Sequence, residues 1–381
     1  MPIPLSAPDI TEAEIAAVTA VLRTPHLSLG PELAAFEAAF AKYHRLAHAV
    51  AVSSGTAGLH MALLTLNIGE GDEVIVPSFA FIAVANAVLH IRATPVFADI
   101  DPVTLNLTPS TVEPLITPRT RAILVVHTFG IPADMHALRA LATRHSLVII
   151  EDACEAIGAE LHQRRVGGFG DLSVFGFYPN KQITTGEGGA VLAHTQAHAD
   201  RLRSLRNQGR IAYAADIVQS QKAVDWLHHP EIGFNYRLSD IACALGRVQL
   251  SRIGEILSLR RAAAERYYAL LADIPGLQMP PLTLPGCTIS WFVFVVRLPQ
   301  TAHRASIQAL LSDRAIATAS YFAPIHQQPA WRDLIVQFQP HLPTTETLGS
   351  RTLALPFFTR IALSQQEQVA SALRQALATQ N

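Results

Sequence analysis

The sequence Phe175-Gly-Phe-Tyr-Pro-Asn-Lys181-Gln-Ile-Thr-Thr-Gly-Glu-Gly-Gly189 places one lysine between an apolar segment and a glycine-rich turn. The apolar segment predicts a buried strand, so we expect Lys181 to be partly desolvated. Desolvation favours the neutral amine over the ammonium, and a neutral amine is what attacks an aldehyde in Schiff-base chemistry. The alternative is an ordinary turn lysine whose amine faces solvent.

Two upstream segments favour the Schiff-base interpretation. Val148-Ile-Ile-Glu-Asp152 predicts a strand that ends on a carboxylate, and residues 49–59 predict a strand that leads into a helix. A helix N-terminus binds phosphate, and a carboxylate beside a pyridine nitrogen keeps that nitrogen protonated. Each feature alone is common, because an aspartate such as Asp152 often only caps a helix. Together they predict a pyridoxal 5'-phosphate site, with catalytic Lys181 and Asp152 and with phosphate contacts from Gly55, Thr56 and Ala57.

Composition and charge exclude several classes of protein. Half of the 381 residues are hydrophobic, which is enough for a large core and predicts two lobes. The net charge of −1 gives no electrostatic reason to expect nucleic-acid binding. Three scattered cysteines predict neither disulfides nor a metal site. The first residues do not resemble a signal peptide and no apolar run is long enough for a membrane span, so we expect a cytoplasmic protein.

Short apolar segments alternate with helical ones between residues 49 and 195. This alternation predicts a mainly parallel sheet covered by helices on both faces, which binds ligands at the carboxyl ends of its strands. The predicted strands are 49–52, 73–76, 95–98, 122–126, 147–150, 172–175 and 190–192. All three candidate site segments lie at such carboxyl ends.

The last third of the chain predicts a smaller unit. The proline-rich residues 280–286 separate it from the helices that precede them, and an aromatic strand is predicted at 290–296. Helices are predicted at 303–311 and 365–376. The polar residues 207–231 show no regular period and are predicted to be irregular.

Motifs of one known family are spread over nearly the whole chain. They are Ile3-Pro-Leu-Ser6, Leu27-Ser-Leu-Gly-Pro31, Ser54-Gly-Thr-Ala57, Pro77-Ser-Phe-Ala-Phe81, Glu151-Asp-Ala-Cys-Glu155, Pro179-Asn-Lys181, Thr184-Thr-Gly-Glu-Gly-Gly189, Asn235-Tyr-Arg-Leu-Ser-Asp240, Tyr321-Phe-Ala-Pro-Ile-His326 and Leu355-Pro-Phe357. In these motifs the chain resembles the DegT/DnrJ-type nucleotide-sugar aminotransferases, pyridoxal-phosphate-dependent enzymes of fold type I in the aspartate aminotransferase superfamily. The resemblance implies an α/β fold. Its large domain, residues 1–250, has a mainly parallel seven-stranded sheet flanked by helices, and residues 251–381 form a smaller α+β domain.

The resemblance also implies further site residues. Phe81 matches the aromatic residue that stacks on the cofactor, and Glu155 matches the group that contacts its phenolic oxygen. Asn235 is implied to reach the phosphate of the neighbouring subunit in a homodimer, and Tyr321 and His326 to border the substrate cleft. All of these except Tyr321 have a simpler alternative: a core phenylalanine, a helix-start carboxylate, a turn asparagine and a structural histidine.

One position departs from the family pattern. The family commonly places a serine that binds phosphate five residues before the lysine, whereas this chain has Gly176 there. The phosphate is then expected to depend on backbone donors, Thr56, Ser173 and the partner's Asn235.

The implied function is transfer of an amino group from an amino acid, L-glutamate, to the keto group of a nucleotide-linked sugar. Pyridoxamine 5'-phosphate would carry the amino group between the two half-reactions, and the product would serve amino-sugar and polysaccharide biosynthesis. Residues 184–188 together with Glu155 favour a 4-keto-6-deoxy sugar. A 3-keto sugar or keto-cyclitol acceptor is the closest alternative, and a non-catalytic, pyridoxal-phosphate-binding regulator is a more distant one.

Overall fold

The apolar runs form one seven-stranded sheet in the computed structural model, which describes residues 2–210, 228–331 and 340–379. The order across the sheet is β1-β9-β8-β5-β4-β2-β3. The bounds of these strands are β1 His48–Val52, β2 Glu73–Pro77, β3 Thr94–Ala98, β4 Thr120–Val126, β5 Val148–Asp152, β8 Leu172–Gly176 and β9 Gly189–Ala193, with a small hairpin, β6 Glu160–Leu161 and β7 Arg164–Arg165, inserted between β5 and β8.

The sheet is mainly parallel, as the sequence predicts. Strands β3, β2, β4, β5 and β8 pair in parallel, whereas β9 runs antiparallel to both β8 and β1. The carboxyl ends of β1, β2, β5 and β8 therefore lie on the same edge. All seven predicted strands and the predicted α/β class are confirmed.

Helices cover both faces because successive strand residues point to opposite sides. Val50 and Val52 pack in one core with helix α3, whereas Ala49 and Ala51 pack in another with α2. The α-helices among the described residues up to 251 are α1 Glu12–Leu22, α2 Pro31–His44, α3 Gly55–Thr65, α4 Ala83–His90, α5 Pro109–Val112, α6 Met135–Arg144, α7 Gln196–Arg206 and α8 Asp240–Ser251.

The C-terminal part has a core of its own, built around Tyr267 and Phe294. The helices and strands of its described residues are α9 Ile253–Leu271, β10 Cys287–Thr288, β11 Phe294–Arg297, α10 Arg304–Ser312, α11 Pro343–Arg351, β12 Thr352–Leu355 and α12 Leu363–Ala378. Ile256 of α9 packs in a core of the large sheet, whereas Ala263 of the same helix packs in the C-terminal core. We keep the division into residues 1–250 and 251–381 as a proposal, with α9 as the element that joins the two cores.

Two predicted segments are either not found as predicted or not covered by the described residues. The strand predicted at 290–296 begins only at Phe294, because the main-chain carbonyls of residues 290–292 accept hydrogen bonds from the side chains of Gln182 and Arg260 and not from a neighbouring strand. Most of the irregular segment predicted at 207–231 lies outside the described residues.

Within the described ranges, no helix combines the length and the apolarity that a membrane span needs. The same ranges contain no group of three or more histidine, cysteine or acidic residues arranged to hold a metal ion.

Candidate active site

A cavity of about 470 Å³ lies at the carboxyl ends of β1, β5 and β8. Such a volume suits a small-molecule site. Seven of the predicted site residues line it: Gly55, Thr56, Phe81, Asp152, Glu155, Lys181 and Tyr321. The amine, the carboxylate and the helix N-terminus expected from separate stretches of sequence therefore meet in one place.

Lys181 enters the cavity from the turn that follows β8. Its backbone N–H donates to the carbonyl of Tyr178 at 2.9 Å, and the turn is tied back to the strand end because Thr185 N and Thr184 Oγ1 both donate to the carbonyl of Phe177. The amine Nζ lies 3.7 Å from Glu155 Oε1 and 4.0 Å from the centre of the Phe292 ring. The side chain is 15% exposed, which agrees with the expected partial desolvation.

Asp152 is the last residue of β5 and points into the cavity. Its side chain is anchored by the N–H of Cys154, which donates to Oδ1 at 3.0 Å. The adjacent Glu151 points to the opposite face of the sheet, as strand geometry requires.

Glu151 is fully buried, and its carboxylate accepts hydrogen bonds from a loop and from two further side chains. The donors are His127 Nε2 at 3.0 Å, Gly167 N at 2.7 Å, Phe169 N at 2.6 Å, Ser173 Oγ at 3.0 Å and Gly170 N. Because His127 Nδ1 accepts the N–H of Ala133, Nε2 carries the proton that is donated to Glu151. These bonds fix the far side of the strand whose end presents Asp152.

We expect Glu151→Gln to lower stability by about 2–4 kcal/mol at pH 7, since a buried acceptor of several donors is weakened. Burial opposes ionisation of Glu151, but the bonds from His127 and the loop outweigh it and hold the pKa at about 2. A depressed pKa stabilises the fold fully above the unfolded value of about 4.5, and this contribution is lost as the pH falls towards 2. Urea-unfolding midpoints measured at pH 7, 5, 4 and 3 should therefore converge for the wild type and the variant below pH 4.5. A constant difference across this range would contradict the assignment.

The N-terminus of α3 faces the cavity. Ser54 caps the helix, its Oγ accepting the N–H of Ala57 at 3.0 Å. The N–H groups of Gly55 and Thr56 belong to the first turn, which has no intrahelical acceptors, so they are the donors for an anion. Ala57, predicted as a third phosphate contact, is buried and its N–H is used by the cap.

Glu155 lies deeper in the cavity and accepts the N–H of Phe129 at 2.9 Å. Burial raises the pKa of Glu155 above its usual value, although the Lys181 amine and the Phe129 N–H act in the opposite direction. A carboxyl with a raised pKa can share a proton with a nearby phenolic oxygen.

Besides Ala57, three predicted residues do not line this cavity. Ser173 is on the opposite face of β8 from Gly176 and donates to Glu151, so the structure does not bring its hydroxyl to the phosphate end. His326 is buried, with Nδ1 at 2.7 Å from Ser78 Oγ and Nε2 at 3.2 Å from Glu346 Oε1, as the structural alternative expects. Asn235 is exposed and forms a backbone bridge with Asn207.

Cys154 explains the glycine that departs from the family pattern. A Cβ atom at Gly176 would lie 3.3 Å from Cys154 Sγ, and one at Gly55 would lie 2.8 Å from the same sulfur. The thiol therefore fills the space between the two backbones, on the floor of the cavity. Burial raises the pKa of the thiol well above its ordinary value, with the charge of Asp152 acting in the same direction and Lys181 in the opposite one.

Sequence reasoning also missed Phe292 and Asn180, which line the cavity. Asn180 precedes Lys181 directly and was a visible candidate. Phe292 carried no signal, because its run of aromatic and apolar residues is typical of a core strand.

The arrangement fits pyridoxal phosphate. One cavity holds an amine for the aldehyde, a carboxylate for the ring nitrogen and free N–H groups at a helix N-terminus for the phosphate, while Phe81 lies at the rim, 62% exposed. When bound, this cofactor accepts the electrons of a substrate carbanion into its ring.

Comparisons with known proteins agree with this interpretation. A model of the DegT/DnrJ/EryC1/StrS aminotransferase family matches residues 8–374. The erythromycin biosynthesis sensory transduction protein EryC1 of Saccharopolyspora erythraea is 39% identical over 347 residues, 91% of this chain and 90% of that protein. The solved aminotransferase TlmJ from Streptoalloteichus hindustanus is 33% identical with a TM-score of 0.90, over 99% of both chains. S. venezuelae DesV, solved with a ketimine intermediate, is 38% identical with a TM-score of 0.87, over 98% of both chains.

Proposed function

Because the chain belongs to the DegT/DnrJ/EryC1/StrS aminotransferase family, we propose that it transfers an amino group from L-glutamate to the keto group of a nucleotide-linked sugar. Family membership confirms the expected resemblance and the enzyme class, a pyridoxal-phosphate-dependent sugar aminotransferase. The acceptor we propose is a 4-keto-6-deoxy sugar, and the pathway is amino-sugar biosynthesis in the cytoplasm.

The observation that carries the proposal is the placement of Lys181, Asp152 and the α3 N-terminus around one cavity. In the proposed reaction, the Lys181 amine moves a proton between the α-carbon of the donor and the aldehyde carbon of the cofactor. Asp152 holds a proton on the ring nitrogen, and Glu155 shares a proton with the phenolic oxygen. Gly55 and Thr56 bind the phosphate.

Among the described residues that line the cavity of one subunit, Lys181 is the only cationic group available to the anionic substrates. Its described lining contains Asp152, Glu155 and Glu187 but, apart from Lys181, no lysine or arginine. Glutamate carboxylates and a nucleotide diphosphate both require cationic or amide donors. We propose that a second subunit supplies them, because the side chain of Asn235 is exposed and the partly exposed Arg237 follows two residues later.

Hybrid dimers test this sharing of sites. We expect the Lys181→Ala and Asn235→Asp variants to be inactive separately, because one lacks the amine and the other places a negative charge beside the phosphate. If Asn235 acts on the neighbouring subunit, random mixing restores about a quarter of the wild-type activity, since half of the dimers then contain one intact site. Absence of any recovery after verified subunit exchange would show that Asn235 does not act across the dimer.

Substrate screening tests the function itself. The holoenzyme is incubated with L-glutamate and a panel of 4-keto-6-deoxy and 3-keto sugar nucleotides, with a keto-inositol included. The expected result is release of 2-oxoglutarate that depends on a 4-keto-6-deoxy sugar, with ping-pong kinetics. Turnover of the keto-inositol alone would support the cyclitol alternative. Cofactor binding without turnover of any acceptor or donor would support a regulatory role. The name of the EryC1 relative, a sensory transduction protein, is the reason to include this outcome.

A further inference from the structure

Residues Ser290 to Phe292, here called the 290–292 segment, bring a side chain of the C-terminal part of the chain to the catalytic lysine. The Phe292 side chain lines the active-site cavity, and its ring centre lies 4.0 Å from Lys181 Nζ. At this distance the ring attracts a cationic nitrogen and blocks the volume that the flexible lysine would otherwise sweep.

Ser290 is anchored by three segments that follow strands of the large sheet. Gln182, the residue after Lys181, places Nε2 at 2.8 Å from Ser290 Oγ and at 2.7 Å from the carbonyl of Glu155. Ser290 N donates to the carbonyl of Gly130 at 2.9 Å, and Ser290 Oγ donates to the carbonyl of Ile157 at 2.6 Å. The start of the segment is thus fixed to the elements that carry Lys181 and Glu155.

Arg260 anchors the other end from helix α9. Its Nε donates to the carbonyl of Trp291 and its Nη2 to the carbonyl of Phe292, both at 2.6 Å, and Nη1 donates to Thr359 Oγ1 at 3.2 Å. The Arg260 side chain is among the largest fully buried ones of the described chain. Burying a guanidinium is costly unless its N–H groups are hydrogen-bonded, so these bonds must be kept in the folded protein. Because they hold two successive carbonyls, they strongly restrict the backbone that carries the Phe292 ring.

We propose that Arg260 and Gln182 together fix the 290–292 segment, and that Phe292 thereby holds the Lys181 amine in the orientation required for attachment of pyridoxal phosphate. Phe292 is then a positioning residue for the catalytic amine, and Arg260 acts on the amine through Phe292. The inference depends on cofactor attachment to Lys181 and not on the identity of the sugar acceptor.

Two ligands distinguish an effect of a substitution on the orientation of the amine from an effect on the affinity for the cofactor. Pyridoxal phosphate reacts with Lys181 and releases water, so its rate of covalent attachment depends on the orientation of the amine. Pyridoxamine phosphate has no aldehyde and binds only through the phosphate and ring contacts. The apoprotein is mixed with each ligand, attachment is followed by absorbance and borohydride trapping, and pyridoxamine phosphate affinity is measured by calorimetry.

We expect Phe292→Leu and Arg260→Met each to slow covalent attachment about tenfold, because the lysine gains rotamers, and to change the pyridoxamine phosphate Kd less than about twofold. The double variant should be no slower than the slower single variant, since both act through one ring. Tyr267→Phe is the matched control: it removes a buried hydrogen bond from the same helix, to the carbonyl of Pro356, without touching the 290–292 segment. This control should lower thermal stability and leave the attachment rate unchanged.

Three outcomes would overturn the proposal. An unchanged attachment rate in Phe292→Leu would show that the ring does not position the amine. A pyridoxamine phosphate affinity that falls in parallel would indicate a distorted cofactor site. Multiplicative effects in the double variant would show that Arg260 does not act through Phe292. If Arg260→Met does not fold, Arg260→Lys, which can reach only part of the same acceptors, should give an intermediate rate.

Discussion

Replacing Lys181 with alanine is expected to lower the rate of amino transfer by about 10⁴-fold or more, because the variant loses both the covalent attachment point and the base that moves the substrate proton. The chain is well suited to this test, since its only other lysines are Lys42 and Lys222. Borohydride reduction of the wild-type holoenzyme followed by peptide mapping should label Lys181 alone. The rate is measured as 2-oxoglutarate release under saturating glutamate.

Lys42→Ala is the matched control, because Lys42 is exposed on α2, away from the cavity. It should bind pyridoxal phosphate covalently and turn over at the wild-type rate. A Lys181→Ala variant that folds, still forms a reducible bond with the cofactor and retains activity would show that another amine performs the chemistry.

Asp152→Asn is expected to lower kcat by about 10³-fold while the folded protein still binds pyridoxal phosphate. The asparagine keeps the shape of the side chain and can still accept the N–H of Cys154, but it cannot hold a proton on the ring nitrogen. The loss should appear in single-turnover reactions with glutamate, since removal of the α-proton requires the electron sink.

Asp200→Asn is the control for a lost carboxylate, because Asp200 is exposed on α7 and bonds to Gln196 and Arg203. This variant should be fully active. If Asp152→Asn retains activity within about threefold of wild type, Asp152 is not the partner of the ring nitrogen.

The sequence predicted the sheet and seven of the residues that line the cavity, because both depend on local patterns. Continuous apolar runs identify strands buried on both faces; Asp152 ends such a strand, and Thr56 and Lys181 lie in the segments that follow two others. Parallel strands bring their carboxyl ends together whatever the distance along the chain. These residues of the site could therefore be predicted without knowledge of side-chain packing.

The differences between the sequence-based expectations and the structure have different physical origins. Ser173 and Gly176 are three residues apart on one strand, so the two-residue alternation alone places them on opposite faces, and this signal was available. His326 is satisfied by Ser78 and Glu346, and the strand predicted at 290–296 is shortened by bonds from Arg260 and Gln182. These partners are distant in sequence, and local patterns do not specify them.

The contact of Cys154 with Gly55 and Gly176 limits how this enzyme can be redesigned. The floor of the cavity is already filled by the Cys154 thiol, so a larger residue at either glycine would collide with its sulfur. The rim differs, because Phe81 and Tyr178 are 62% and 53% exposed. Directed evolution towards bulkier acceptors should therefore accumulate its useful substitutions at the rim and leave the floor untouched.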